Sequence, residues 1–268
     1  MPDRRAGSLS RALYRVLALG GIRPPMELLM DLGRQNLVPA VTDVPPAERV
    51  LVLAPHMDDE TIGCGGAVLR HVAAGARVEV AWITDGVRGF SEADMAAMSE
   101  EQRRATRREE GALACERLGV AGTHCLDLPD GRSAADEPAV DKLLAVVEQV
   151  RPQVVYLPFL TDSHYDHRTT NRLFIAAAAR SGALSGVVCC GYEVWTPLYP
   201  NCVVDISAEI EHKMSALACY RSQLQINDYL SSVRGLNAYR AIANHSQGFA
   251  EAYYRVGVSE YLRLAEHL

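Results

Sequence analysis

The chain has 268 residues, of which 49% are hydrophobic and 6% aromatic, and its formal net charge is −6. This hydrophobic content suffices for a sizeable core, and the length fits one large α/β domain or two small ones. The acidic balance provides no basic surface for nucleic acid, and no apolar run approaches the length of a membrane span. The seven cysteines include no C-x-x-C pair, which indicates free thiols in a reducing, cytoplasmic compartment rather than a disulfide framework.

The first 48 residues predict a helical extension that precedes the main domain. Apolar residues at positions 9, 13, 16 and 17 would share one face of an amphipathic helix over residues 9–19. Two arginines interrupt the apolar centre that a signal peptide requires. A second helix is predicted over residues 26–35, and residues 39–46 are predicted to be a connector.

From residue 49 onward the pattern predicts a single α/β domain in which strands alternate with helices. This alternation is typical of a Rossmann-like, mostly parallel sheet with right-handed crossovers and helices on both faces. No G-x-G-x-x-G follows the first strand, so an ordinary dinucleotide site is not predicted. Strands are predicted at residues 50–54, 77–84, 123–128, 154–157 and 187–194, with helices at residues 62–74, 99–118, 138–150 and 170–180.

The last third of the chain predicts a further mixture of strands and helices. A strand is predicted over residues 202–206, followed by Ser207 as the N-cap of a helix. Further helices are predicted over residues 213–223 and 227–247, and a late strand over residues 250–256.

A cluster of polar side chains follows the strand predicted at residues 50–54. It contains His56, Asp58, Asp59 and Glu60, at a strand end where open α/β sheets bind ligands. Residues three apart in a turn that enters a helix lie on the same side, so His56 and Asp59 are predicted to ligate one metal ion, with Asp58 left as a free base. The alternative is that the two aspartates only cap the following helix.

A second polar cluster, Asp162-Ser163-His164-Tyr165-Asp166-His167-Arg168, follows the strand predicted at residues 154–157. A catalytic zinc site has three protein ligands and a water. One of the two histidines would therefore complete the ligand set begun in the first cluster, and the other histidine and Asp166 are left for chemistry.

Together, Pro-His-Met-Asp-Asp-Glu and the later His-x-Asp-His resemble the PIG-L/LmbE family of zinc-dependent N-acetyl-sugar deacetylases. Met57 stands where the family usually has proline, at a position that is not a ligand. The resemblance covers the chain from about residue 50 to its C-terminus. It implies one zinc ion per chain, although other divalent metals would also suit the donors, and it implies His56, Asp59 and His167 as the ligands.

The resemblance also implies the catalytic groups. Asp58 corresponds to the general base of the family. His164 corresponds to the residue that supports the tetrahedral intermediate and protonates the leaving amine, and Asp166 to the residue that orients it.

Three further positions are predicted to contact substrate. Arg107 resembles the arginine of the family's R-x-x-E helix, although the charged run around it is also typical of a solvated helix face. Asp130 resembles the aspartate that holds sugar hydroxyls, with a plain Asp-Gly turn as the alternative. Arg88 follows the second strand, where members often have an acidic residue, and it suits a phosphate or carboxylate on the substrate.

The sequence therefore predicts a metal-dependent amide hydrolase that removes the acetyl group from an N-acetylglucosamine-type substrate, giving acetate and a free amine. An amidase acting on a glucosamine-containing thiol conjugate is one alternative. A metal-dependent phosphoesterase is another, although that class more often uses two metals. The expected partner is a small amino-sugar molecule, with no nucleic acid and no transmembrane segment, and a homo-oligomer is left open.

Overall fold

A computed structural model describes residues 38–244 and 248–266. The helices predicted over residues 9–19 and 26–35 lie outside the described residues. The described strands are β1 (Ala40–Thr42), β2 (Arg49–Ala54), β3 (Arg77–Thr84), β4 (Gly122–Leu128), β5 (Val154–Pro158), β6 (Val188–Tyr192), β7 (Cys202–Asp205) and β8 (Ala250–Gly257). The described α-helices are α1 (Asp59–Ala73), α2 (Glu92–Ala97), α3 (Glu100–Leu118), α4 (Glu137–Val150), α5 (Tyr165–Arg180), α6 (Ile210–Leu217), α7 (Arg221–Leu224), α8 (Tyr229–Arg240) and α9 (Val258–Ala265).

The eight strands form one sheet in the order β1-β7-β8-β6-β5-β2-β3-β4. Every pairing is parallel except those of β8, which runs antiparallel to both β6 and β7. The chain proceeds from β2 outward to β3 and β4, and then returns to place β5 on the other side of β2. The carboxyl ends of β2 and β5 therefore flank the switch point of the topology, where α/β sheets form a crevice.

Helices cover both faces of the sheet, which confirms the predicted fold class. Alternate residues of β2 point to opposite faces, as the pleat requires. Leu51 and Leu53 belong to a core formed with α4, α5 and α9. Val50 and Val52 belong to a second core formed with α1, α3 and α6.

Helix α1 lies close to the sheet because of its glycines. A Cβ atom on Gly66 would lie 2.5 Å from the Ile206 side chain, and one on Gly63 would collide with the Tyr192 ring. The helix is kinked at Cys64, whose φ is −147° and ψ is 19°. The N–H groups of Gly66 and Ala67, which the kink exposes, donate to the Glu251 carboxylate at 2.8 Å each. This carboxylate therefore caps the second half of the helix.

Several predicted elements differ from the structure. The connector predicted over residues 39–46 contains β1, which pairs with β7 at the sheet edge. Ser207 is not a helix N-cap, because α6 begins at Ile210 after Glu209. The helix predicted over residues 213–223 is divided between α6 and α7, and helices α2 and α9 were not predicted.

No helix within the described ranges is long and apolar enough to cross a membrane. All seven cysteines of the chain are free, and only Cys125 is exposed.

Candidate metal centre and catalytic site

The turn after β2 brings His56 and Asp59 together. The Oδ2 atom of Asp59 accepts the backbone N–H of His56 at 2.8 Å and lies 3.2 Å from His56 Nδ1. The residue between them, Asp58, has φ 142° and ψ −28°, a conformation that L-residues rarely adopt. This turn directs the carboxylates of Asp58 and Asp59 to different neighbours, as the spacing predicted.

The second cluster lies at the start of α5, because that helix begins at Tyr165, five residues earlier than predicted. His164 is its N-cap, and its Nδ1 atom accepts the N–H of Asp166 at 3.2 Å. His167 lies in the first turn of α5 and is fully buried. The helix N-terminus therefore fixes both imidazole rings relative to the end of β5.

The two clusters meet at Asp59. Its Oδ2 atom is 3.2 Å from His56 Nδ1 and 3.2 Å from His167 Nε2. In tetrahedral zinc sites with metal–nitrogen distances of about 2.0–2.1 Å, donor atoms lie about 3.3 Å apart. These spacings therefore fit a single metal ion held by two imidazoles and one carboxylate.

The buried nitrogens of His167 support the same interpretation. Neither ring nitrogen has a hydrogen-bond partner of acceptable geometry among the described residues, although buried polar atoms are normally satisfied. A metal ion bound to Nε2, the nitrogen that faces Asp59, would account for its lack of a hydrogen-bond partner. The described residues also contain two groups whose potential ligand atoms lie within 4.8 Å of one another, one of His56, His164 and His167 and one of His56, Asp130 and Asp166. His56 belongs to both groups and Asp59 to neither.

Carboxylates also lie on the far sides of both imidazoles. His56 Nε2 is 3.1 Å from Asp166 Oδ2 and 3.5 Å from Asp130 Oδ1. His167 Nδ1 is 3.3 Å from Asp162 Oδ2. Histidines that bind metals usually have such a carboxylate on the second nitrogen, where it fixes the tautomer and ring orientation.

The electrostatics of the three candidate ligands reflect their mutual contacts. Burial lowers the pKa of His56, but the neighbouring carboxylates outweigh burial and raise it well above its ordinary value. The pKa of His167 is likewise lowered by burial and raised overall to about 9, chiefly by Asp59. Burial raises the pKa of Asp59, but the two imidazoles outweigh it and lower that pKa overall. Because imidazole binds a metal only when deprotonated, a cation at this position would displace these protons.

Asp58 is held by Arg107 and Glu60. The guanidinium of Arg107 donates to the Met57 carbonyl and to Asp58 Oδ2, the latter at 3.2 Å. Glu60 Oε2 accepts the backbone N–H of Asp58 at 3.2 Å. Burial raises the pKa of Asp58 to about 7, although Arg107 opposes this shift.

Glu60 and Arg107 are themselves fixed by buried side chains. The hydroxyl of Tyr220 and the indole N–H of Trp82 both donate to the Glu60 carboxylate. Arg107 Nη1 lies 3.4 Å from the hydroxyl of Ser222. These contacts connect the Asp58 turn to β3, α3 and α7.

A cavity of about 260 Å³ opens above this centre. Of the nine predicted site residues, seven line it and two, Asp166 and His167, are buried beneath it; the seven are His56, Asp58, Asp59, Arg88, Arg107, Asp130 and His164. Burial and the two neighbouring imidazoles lower the pKa of His164. The structure therefore places every predicted residue in or directly under one cavity.

The Asp166 carboxylate contacts several groups under the cavity. Its carboxylate accepts the Ser133 hydroxyl at 2.5 Å and the Gly131 N–H at 2.9 Å. It lies 3.1 Å from His56 Nε2 but 3.9 Å from His164 Nδ1. Among the two histidines, His56 is therefore its nearer partner, and its predicted action on His164 stays a prediction.

The remaining predicted contact residues border the cavity. Asp130 Oδ2 accepts the N–H of Arg88 at 2.8 Å, so the ends of β3 and β4 are joined at this point. The Arg88 side chain is exposed at the cavity rim. No ion pair links its guanidinium to a carboxylate within the described part of the chain.

Sequence reasoning assigned no role to Asp162 or Glu60, which both contact the site residues. Asp162 accepts the N–H of His164 at 2.9 Å as well as facing His167. A usable signal was present for Asp162, since it is an acidic residue five positions before a predicted ligand in the same polar loop. Its partner ring could not be named without the fold.

Comparison with known proteins gives a consistent picture. The model of the family described as "PIG-L: GlcNAc-PI de-N-acetylase" matches residues 51–178. A diacetylchitobiose deacetylase of Thermococcus kodakarensis is 29% identical over 190 residues, covering 66% of this chain and 70% of that protein. A 1D-myo-inositol 2-acetamido-2-deoxy-alpha-D-glucopyranoside deacetylase of Geodermatophilus obscurus is 35% identical over 156 residues, covering 49% of this chain and 53% of that protein.

A solved structure resembles the fold along most of its length. The N,N'-diacetylchitobiose deacetylase of Pyrococcus horikoshii superposes with a TM-score of 0.71 and 24% identity, covering 88% of this chain and 94% of that one. The family match spans β2 to α5 and so contains both polar clusters. Residues 51–178, just under half of the chain, therefore match the PIG-L family.

Proposed function

We propose that this protein is a zinc-dependent hydrolase that removes the acetyl group from an N-acetylglucosamine-type sugar. The observation that carries the proposal is the pair of imidazoles, His56 and His167, which share the Asp59 carboxylate and have further carboxylates behind them. Both relatives named above are deacetylases, one of diacetylchitobiose and one of a 2-acetamido-2-deoxy-glucopyranoside. They favour deacetylation over the phosphoesterase and thiol-conjugate alternatives.

The proposed zinc ligands are His56, Asp59 and His167. Two nitrogens and one carboxylate oxygen form a donor set that zinc favours in catalytic sites. When bound, zinc supplies Lewis acidity, which polarises a carbonyl and acidifies water. Asp162 and Asp166 would hold the outer nitrogens of the two imidazoles and so keep the ligand nitrogens directed at the ion.

The proposed roles of Asp58 as general base and His164 as proton donor are supported by their positions in the lining of the cavity. Asp58 accepts a proton at its carboxylate as a water oxygen adds to the amide carbon. His164, when protonated, donates to the developing oxyanion and delivers a proton to the departing nitrogen. The C–N bond breaks, and acetate and the free amine leave. Asp166 supports His164 through the N–H···Nδ1 hydrogen bond of its backbone.

We assign the substrate hydroxyls to Asp130 and the substrate's outer groups to Arg88, because both residues line the cavity beside the centre. Arg107 also lines it, but its guanidinium lies on Asp58. Arg107 would therefore contact the substrate beside Asp58, the proposed base.

The proposed reaction is tested by incubating the zinc-loaded protein with N,N'-diacetylchitobiose and measuring acetate and free amine. Equal amounts of both products are expected. Phosphate release from a panel of phosphate esters serves as the contrast. Release of phosphate with no acetate from any N-acetyl-sugar would reject the deacetylase assignment.

The assignment of base and ligand is tested by two neighbouring substitutions of the same kind. Asp59→Asn should lose zinc and activity together, because an amide is a poor substitute for a ligating carboxylate. Asp58→Asn should keep zinc and lose about a hundredfold to ten-thousandfold in turnover, as expected for removal of a general base. A zinc-free Asp58→Asn and a zinc-replete Asp59→Asn would reverse the two roles.

His164 and His167, both at the N-terminus of α5, provide a second matched pair of substitutions. His167→Ala should lose most of the bound zinc, which purified protein should carry at about one ion per chain. His164→Ala should retain zinc and lose turnover. Full zinc content in His167→Ala would remove His167 from the ligand set.

A further inference from the structure

The two tryptophans of the chain have opposite environments. Trp82 is 2% exposed in the core, whereas Trp195 is 51% exposed and lines the cavity above the metal centre. The indole of Trp195 lies over the imidazole of His164, with ring centroids 5.8 Å apart and planes inclined by only 21°. The indole N–H has no hydrogen-bond partner among the described residues. A large apolar surface and a free donor are thus presented at the mouth of the site.

Hydrogen bonds fix the loop that carries Trp195. Its backbone N–H donates to Asp162 Oδ2 at 3.1 Å, the atom that also faces His167. Further along the loop, Thr196 Oγ1 accepts the N–H of Ser163 at 3.0 Å. The backbone of Trp195 is therefore tied to the loop that begins α5, so this part of the cavity wall is ordered before any ligand binds.

A buried ion pair fixes the other side of the same loop. Arg240 at the end of α8 donates to both carboxylate oxygens of Glu193, at 2.8 and 2.5 Å. Glu193 also accepts the N–H of Leu198 at 2.9 Å. This pair holds the segment between β6 and β7 against α8 and limits the movement of Trp195.

The cavity is large enough for the acylated sugar ring but not for a second ring attached to it. Pockets that enclose drug-sized ligands have volumes of about 300–1,000 Å³, whereas this cavity measures about 260 Å³. A single acylated sugar ring fits such a volume, and anything joined to it must extend to the mouth. Trp195 is the exposed aromatic residue there.

We propose that Trp195 forms a subsite for the ring attached to the acylated sugar. The ligand class is a glycoside whose aglycone is a second pyranose or another saturated ring with one apolar C–H face. Such a face packs against the negative face of an aromatic ring, and this contact removes apolar surface from water. The inference rests on the proposed function, and it assigns to the substrate a second ring that the catalytic step itself does not require.

The kinetic test compares N,N'-diacetylchitobiose with N-acetylglucosamine as substrates. Trp195→Ala should lower kcat/KM for the disaccharide by roughly two- to tenfold relative to its effect on the monosaccharide, in line with the strength of an aromatic contact. Trp195→Phe should restore most of the loss. Tyr199→Ala is the matched control, since Tyr199 is 61% exposed in the same loop and does not line the cavity. Equal losses on both substrates, or a selective loss in Tyr199→Ala, would overturn the proposal.

A binding measurement tests the subsite without turnover. In Asp58→Asn, iodide should quench the fluorescence of Trp195 but not that of buried Trp82. Saturating disaccharide should protect Trp195 from iodide, whereas N-acetylglucosamine, bound deeper, should not. Trp195→Phe in the same background should show almost no iodide quenching, which confirms the source of the signal.

The two tests fail in distinguishable ways. If the wild-type protein releases no acetate from any N-acetyl-sugar, the proposed function is rejected, and the protection measurement still decides the subsite. Unchanged quenching at a disaccharide concentration that calorimetry shows to be saturating would reject the subsite. Absence of disaccharide binding by calorimetry, or equal protection by the monosaccharide, would reject it as well.

Discussion

The backbone of Asp58 predicts an unusual order of stability at that position. Its φ of 142° and ψ of −28° are costly for any residue with a Cβ. Glycine lacks a Cβ, so it tolerates positive φ far better than a residue that carries one. Asp58→Gly should therefore be more stable than Asp58→Ala, the reverse of the usual order.

The magnitude follows from two opposing contributions. Relief of this backbone conformation is worth about 1–3 kcal/mol, and the greater freedom of glycine in the unfolded chain offsets about 0.4–1 kcal/mol of it. Both variants lose the 3.2 Å contact with Arg107, so that loss cancels. The net difference in the free energy of unfolding should be about 0.5–2 kcal/mol in favour of glycine, or about 1–8 °C in Tm for a domain of this size.

The assay is denaturant or thermal unfolding of both variants in the presence of a chelator, because a bound metal would add its own stabilisation. Ala105→Gly supplies the contrast, since Ala105 is exposed in the middle of α3. There glycine should lower the free energy of unfolding by about 1 kcal/mol. If Asp58→Ala proves as stable as Asp58→Gly, the backbone at residue 58 is not strained.

Three further predictions follow from other contacts. Lys213→Met removes the cation that lies 2.6 Å from Glu251 in the core and should lower the free energy of unfolding in urea by about 3–5 kcal/mol. Adding Glu251→Gln to that variant should restore part of the loss. Strictly additive losses would mean that the two residues are not coupled. Arg107→Ala should leave the metal content unchanged and lower turnover by about tenfold to a hundredfold. Arg108→Ala, on the exposed side of α3, is the control and should change neither. Loss of the fold without loss of specific activity would make Arg107 purely structural. Ellman's reagent should titrate Cys125 rapidly and the six buried thiols only after unfolding, and fast reaction of several thiols would contradict the packed core.

Local sequence patterns were sufficient to predict many of the strands and helices. The strand predicted over residues 77–84 matches β3 residue for residue, and the helix predicted over residues 99–118 has Ser99 as its N-cap and Gly119 as its left-handed C-cap. Such features depend on hydrophobic period and on capping residues a few positions away. The antiparallel direction of β8 could not be predicted in this way, because it depends on which strands pair.

Within the site, local spacing in the chain was sufficient to predict which side chains a single turn brings together. His56 and Asp59 are three residues apart across a turn, and the structure joins them at 3.2 Å. The Asp58 carboxylate contacts Arg107 instead, and its role as the base stays a prediction. The relation of His56 to Asp59 is short-range, and chain geometry limits it to few possibilities.

The way in which distant segments of the chain meet depends on the packing of the whole sheet. The placement of β5 beside β2 brings His167 to 3.2 Å from Asp59 and directs Asp166 toward His56 more closely than toward His164. It also places Arg107 on Asp58, although the helical pattern alone suited a solvated face. The order of strands in a sheet is set by packing over the whole domain, and no local spacing in the chain specifies it.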